Sequence, residues 1–169
     1  IRYIYINIKM SQKLEAIAVL AHSTIKGTII FRESNKSDNI MIDLDISGLK
    51  PGKHGFHIHE TGNLLDKCKE CKAHFNPFNK NHGGPKSKER HVGDLGNIVA
   101  DKNGKVKTTF SDHQISLRDT KRNIIGRSVI IHEKEDDLGR GGDEESLKTG
   151  NAGARLVCAV IGYKKAYYF

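Results

Sequence analysis

Short runs in which apolar and polar residues alternate recur along the whole chain. Ile40–Ile46 (IMIDLDI) shows the pattern best, with Asp43 and Asp45 on the face opposite the aliphatic side chains, the period-two signature of a half-buried strand. Comparable apolar or alternating runs are Glu15–Leu20, Gly27–Phe31, Phe56–His59, Gly96–Ala100, Val106–Phe110, Ser128–His132 and Leu156–Ile161. Turn chemistry separates them: Gly48, Pro51-Gly52, Asp101–Gly104 and Gly139–Gly142. Eight short strands with turns between them predict an all-β antiparallel sandwich or barrel. Residues 60–95 and 133–155 are too long for tight turns and are rich in Gly, Asn, His and charge. Long loops on a rigid β scaffold are where function tends to sit.

A length of 169 residues fits one domain. Residues 1–9 (IRYIYINIK) precede Met10, which opens the sequence MSQKLEAIAVL. The expected division is an extension or non-native leader over 1–12, a domain over 13–163 and a tail over 164–169. Neither a secretory leader nor an apolar span is visible, so a cytoplasmic protein without membrane attachment is expected. The net charge of +8 suggests an anionic partner. Nucleic acid is the common reading of such a charge and a small anionic substrate is an equally good one; because the basic residues are dispersed, with no Lys/Arg block and no groove-reading motif, no nucleic-acid partner is expected. Three cysteines allow several arrangements. Cys68 and Cys71 form a CxxC that reads as a redox pair or half a zinc site, Cys158 lies far downstream, and the odd count leaves at least one free thiol.

The histidines change the picture. In HGFHIH (54–59), His57 and His59 project from one side of a strand while Phe56 and Ile58 enter the core. Downstream, His74, His82, His91 and Asp94 follow as His-x7-His-x8-His-x2-Asp, with Gly83-Gly84-Pro85 allowing the loop to fold back. Three imidazoles and a carboxylate are a complete tetrahedral set for Zn²⁺. Six of the nine histidines fall within residues 54–91, a crowding that scattered surface histidines would not give. His132 closes the run Ser128–Ile131, as a ligand delivered from a strand end would. His22 and His113 have no such company and read as surface residues.

The segments GFHIHE (55–60), AHFNP (73–77), NHGGP (81–85), ERHVGDLGN (89–97), IIGRSVIIHEKEDDLGRGG (124–142) and GNAGARLVCAVIG (150–162) together resemble the eukaryotic-type copper/zinc superoxide dismutases. The resemblance covers Lys13 to Gly162 and implies an eight-stranded Greek-key barrel with two long functional loops. It implies one copper and one zinc ion per chain: copper on His57, His59, His74 and His132, and zinc on His74, His82, His91 and Asp94, with His74 shared. It further implies that Asp136 links a copper histidine to a zinc histidine, that Arg155 stands beside the copper, and that Glu144, Glu145, Lys148 and Thr149 form the channel rim. His54 would tie one loop to another. Cys68 and Cys158 would form the disulfide, while Cys71 has no counterpart. The activity implied is dismutation of superoxide to oxygen and hydrogen peroxide by copper cycling, with His74 also carrying a proton. A homodimer is implied through the position of Thr61, just before Gly62, and through Ile125, Gly126 and Tyr163, weakened because Thr61 stands where a large apolar residue is usual. The apolar tail Tyr167-Tyr168-Phe169 could add to that contact. A copper chaperone is a further partner.

Two other readings share the barrel. A copper chaperone for such an enzyme usually carries an added amino-terminal metal-transfer domain with its own MxCxxC, and too few residues precede the first strand for one. A catalytically weak copper-binding relative would have lost ligands, yet all seven positions and Arg155 are present. Turnover by fully metallated protein separates both from an enzyme.

Overall fold

Each of the eight runs becomes a strand in the computed structural model, which describes residues 12–166. The strands are β1 (Glu15–Ala21), β2 (Lys26–Glu33), β3 (Ile40–Ser47), β4 (Gly52–His59), β5 (Asp94–Ala100), β6 (Val106–Asp112), β7 (Ser128–His132) and β8 (Arg155–Val160), followed by the two-residue β9 (Gly162–Tyr163). Residues 1–11 of the expected extension or leader (1–12) and the aromatic end Tyr167–Phe169 lie outside the described residues.

Two antiparallel sheets form, one ordered β6-β3-β2-β1-β9 and the other β5-β4-β7-β8. β5 meets β6 and β1 meets β8, so the sheets approach along both edges. Going round, β4, β5 and β6 are consecutive and β3 lies beside β6, a Greek-key connection. The alternation of β3 survives in three dimensions: Ile40, Ile42, Leu44 and Ile46 are buried, and Asp45 faces water. Asp43 accepts a hydrogen bond from Thr109 Oγ1 at 2.7 Å and pairs with Arg32 across the sheet. Phe31, Phe56, Ile58, Leu95 and Ile98 fill the core between the sheets.

The two long loops leave the same sheet, 60–93 joining β4 to β5 and 133–154 joining β7 to β8. The second contains a four-residue helix, α1 (Ser146–Thr149), that the sequence pattern did not announce. A third long connection, 113–127, also went unremarked. It tucks Ile115, Leu117 and Ile124 into the core and is stitched by the Ser116–Asn123 bridge.

Candidate metal centre

Strand β4 ends in a row of buried residues, so both faces of its last turn are enclosed and His57 and His59 are presented inward rather than to water. The β4–β5 register shifts between Gly55 and His57, and the β7–β8 register shifts between Ile131 and His132, irregularities of the kind that gather beside functional sites. The 60–93 loop is pinned to the same strand end. Phe75 N donates to Ile58 O at 2.8 Å, Ile58 N to Gly93 O at 2.9 Å and Gly93 N to Phe75 O at 3.0 Å. His74 is thereby laid beside His59, and His91 is brought to Asp94 at the start of β5.

Two overlapping groups of donor atoms result. In His57, His59, His74 and His132, and again in His74, His82, His91 and Asp94, one ligand atom per residue lies within 4.8 Å of every other. His74 belongs to both groups, and all seven residues are buried.

Hydrogen bonds decide which nitrogen each ring has to offer. His59 Nδ1 donates to Lys72 O at 2.9 Å and His132 Nδ1 to Gly153 O at 3.1 Å. Their Nε2 atoms are left as lone pairs facing each other 3.4 Å apart. His57 Nε2 is engaged by Asp136 Oδ2 at 2.9 Å, and its buried Nδ1 has no partner. His74 turns Nδ1 toward Asp94 Oδ1 at 2.9 Å, while its buried Nε2 has none. His82 Nε2 contacts Asp136 Oδ1 at 2.8 Å. His82 Nδ1 is only 3.0 Å from Asp94 Oδ1 but lacks hydrogen-bond geometry, the relation expected of two ligands aimed at a common ion rather than at each other. Buried nitrogens without partners are costly, and a cation at each focus would satisfy them. The donors therefore fit two ions, one in an all-imidazole set suited to copper and one in a His₃Asp set suited to zinc.

Asp136 spans the groups, accepting from His57 with one oxygen and from His82 with the other. It is itself held by Asn97, whose Oδ1 accepts from Asp136 N and whose Nδ2 donates to Asp136 O, both at 2.8 Å. Gly150 closes this corner. Its φ of +67° is left-handed, and a Cβ there would lie 2.0 Å from Asp136 Oδ1 and 2.5 Å from His82 Nε2. Only glycine lets the α1 terminus approach so closely.

Burial sets the charge states. Desolvation holds His57 down at about 4, His74 at about 3 and His132 at about 4, and keeps His59 well below the ordinary range. These rings are neutral and able to ligate at neutral pH. Burial opposes charge on His82 as well, but the Asp136 and Asp94 carboxylates outweigh it and raise the ring to about 9. Burial would raise the Asp94 and Asp136 carboxyls, yet their histidine partners win and hold both below the usual range.

Arg155, at the start of β8, lies in a cleft of about 930 Å³ that opens onto His59, His74, His91 and His132. Its guanidinium donates to Cys68 O at 2.6 Å, Lys69 O at 3.2 Å and Lys72 O at 2.5 Å. The Cys68–Cys158 disulfide ties that same segment to β8. Glu145, Lys148 and Thr149 line the cleft, whereas Glu144 is ion-paired with Lys148 at 2.5 Å and does not. Four side chains of the lining are cationic (Lys80, Lys134, Lys148 and Arg155) against the carboxylates of Glu60 and Glu145. His54 joins Lys50 O to His132 O, and His22 and His113 are exposed. The sequence reading passed over Lys80, Lys134, Asn97 and Gly150, and it passed over Arg90. That arginine is buried and donates to Asp112, Pro85 O and the carbonyls of His91 and Val92. Its position beside His91 in ERHVGD was the available signal.

Residues 25–161 match the family model described as copper/zinc superoxide dismutase. The chain belongs to the copper/zinc superoxide dismutase family. Among curated relatives, the superoxide dismutase [Cu-Zn] of Paramecium bursaria Chlorella virus 1 is 58% identical over 160 residues, 94% of this chain and 83% of that one. Superoxide dismutase [Cu-Zn] A of Xenopus laevis is 52% identical over 89% of this chain and 98% of its own. A solved structure, the clock protein EA4, superposes with a TM-score of 0.84 at 47% identity, covering 88% of this chain and 93% of that one. Copper and zinc are the cofactors of this dismutase, and the two donor groups are clusters able to hold metal ions.

Proposed function

We propose that this superoxide dismutase holds copper on His57, His59, His74 and His132 and zinc on His74, His82, His91 and Asp94. The observation that carries the assignment is the pair of donor groups sharing one ring, His74, whose Nε2 is buried without a partner. Bound copper supplies the one-electron cycle that oxidises one superoxide to oxygen and reduces a second to hydrogen peroxide, while zinc is redox-inert. The chain's own residues do the rest. Arg155 and the cationic lining draw a univalent anion into the cleft. The carbonyls of Cys68, Lys69 and Lys72 hold the guanidinium in place. Asp136 orients His57 and His82 together, and the carbonyls of Lys72 and Gly153 fix the rings of His59 and His132. His74 Nε2 is the atom positioned to carry a proton toward departing peroxide. The test is a superoxide-consumption assay on protein loaded with both metals. Wild type turns over rapidly, His132→Ala loses nearly all activity while retaining zinc, and equal rates would defeat the assignment of His132.

The partner and location readings belong to the same proposal. A homodimer is supported by exposed Val19 and Val160, the latter beside the close approach of Gly62 to Gly126. Thr61 does not obstruct that face, because its hydroxyl already donates to Glu70 O at 2.7 Å. Val160→Lys converting a dimer to monomers in sedimentation would support it. Burial of the imidazole ligands is consistent with delivery by a copper chaperone. No helix among the described residues is long and apolar enough to cross a membrane, and one relative, from Drosophila melanogaster, is named as extracellular.

A further inference from the structure

Arg127 takes no part in the centre as described so far, yet it touches both chain segments that deliver His59 and His74. It closes the 113–127 connection, immediately before β7. Its backbone is fixed there: Arg127 N donates to Ile124 O at 3.2 Å, and Arg127 O accepts from Ile161 N at 2.8 Å. The side chain is half-buried. Its Nε donates to Asn123 O at 2.8 Å and its Nη1 to Glu60 O at 2.5 Å. The guanidinium carbon lies 3.5 Å from the centre of the buried Phe75 ring, a cation–π contact.

Glu60 and Phe75 directly follow His59 and His74 in the chain. The two histidines face each other in an isolated antiparallel bridge, and the hydrogen bonds on either side of it run through the same neighbours. Glu60 N donates to Ala73 O at 3.0 Å, and Phe75 N donates to Ile58 O at 2.8 Å. One guanidinium therefore holds both sides of the bridge, one by a carbonyl and the other by a ring face. Its planar fork makes this possible. An ammonium is a point charge that cannot bond two carbonyls in that geometry while lying flat on a ring.

We propose that Arg127 is a positioning residue for copper, setting the spacing of His59 and His74 through Glu60 and Phe75. It acts through these neighbours, not on the ion. The zinc ligands His82 and His91 are fixed by other contacts, from His82 N to Leu147 O at 2.8 Å and from His91 N to Asp94 Oδ2 at 2.8 Å, so the effect falls on the copper set. The consequence for copper rests on the ligand assignment proposed above; the framing of the His59–His74 bridge does not.

The experiment compares full-length Arg127→Lys, Arg127→Gln and Phe75→Leu with Ile115→Val, a truncation of a buried side chain in the same connection that leaves the frame intact. On metal-free protein, hydrogen exchange at Glu60 N and Phe75 N should be about tenfold faster in Arg127→Lys than in Ile115→Val once each is corrected for its loss of global stability. On metal-loaded protein, chelator competition should show copper bound about tenfold more weakly by the Arg127 variants and zinc within about threefold of wild type. The copper electron paramagnetic resonance spectrum should change with them. The double variant Arg127→Lys/Phe75→Leu should lose less copper affinity than the product of the single losses, because the two residues share one contact. If Arg127→Gln does not fold, Arg127→Lys carries both arms. Exchange at the two amides no faster than in Ile115→Val, or copper affinity that follows global stability alike in every variant, would overturn the proposal. Faster exchange with an unchanged copper spectrum would also overturn it, by cutting the frame's link to copper. A copper spectrum left unchanged by His132→Ala would instead overturn the ligand assignment.

Discussion

Replacing Gly150 by alanine tests how the two ion sites are coupled. The new Cβ would stand 2.0 Å from Asp136 Oδ1 and 2.5 Å from His82 Nε2, and neither group can yield easily. Asp136 is pinned through its backbone to Asn97, and His82 N donates to Leu147 O at 2.8 Å. The carboxylate must therefore swing off His82, and the ring loses the acceptor that orients it. Loss of such an outer partner typically costs about 10–100-fold in metal affinity, which is about 1.4–2.8 kcal/mol. A left-handed alanine adds roughly 1–2 kcal/mol of backbone cost. Gly142 isolates that second term, because its φ is +81° and nothing lies within 4 Å of a Cβ placed there. Zinc affinity of both variants, measured by competition with a chromophoric chelator, should be near wild type for Gly142→Ala and about 10–100-fold weaker for Gly150→Ala. Equal zinc affinities in the two variants would refute the reasoning.

Three further outcomes follow. Metal-free protein should lose stability as pH falls from 6.5 toward 4. His57, His74 and His132 sit at about 4, 3 and 4 in the folded chain, so the unfolded chain takes up protons there that the folded one refuses. The loss is roughly 1.4 kcal/mol per pH unit for each ring. His82, raised to about 9, works the other way, giving stability that is complete below 6.5 and fades as pH rises toward 9; urea titrations across pH 4–9 on metal-free protein would expose a profile without that maximum. Arg155→Ala should lower the second-order rate about tenfold or more and flatten its fall with salt, since screening acts on exposed charge over about 10 Å at 0.1 M; an unchanged salt slope would remove Arg155 from the attraction. Arg90→Met should destabilise the fold by about 3–5 kcal/mol by stranding buried Asp112; unfolding unchanged within 1 kcal/mol would contradict that role.

The strands were legible because each needs only a period-two apolar face, which Ile40–Ile46 displays without help from the rest of the chain. The imidazole donors were legible as a crowd, six histidines in 38 positions from His54 to His91, and the His₃Asp set was legible from its spacing, though the second ion's set and the sharing of His74 came from resemblance. What sequence could not show is set by contacts far apart in the chain. Lys72 matters through its carbonyl, which carries no side-chain signature, and its positive φ runs against its residue type. Arg90 looked like one more dispersed base until the fold enclosed it. Glu144 matches the rim motif and pairs with Lys148, four residues on, which itself lines the cleft.

The central claim is that one histidine ring serves two ions. Anomalous diffraction from crystals of the copper- and zinc-loaded protein, recorded on both sides of each metal's absorption edge, tests it directly. The account predicts a copper peak among His57, His59, His74 and His132 and a zinc peak among His74, His82, His91 and Asp94, with His74 between them. A single peak, or two peaks neither of which touches His74, would contradict it.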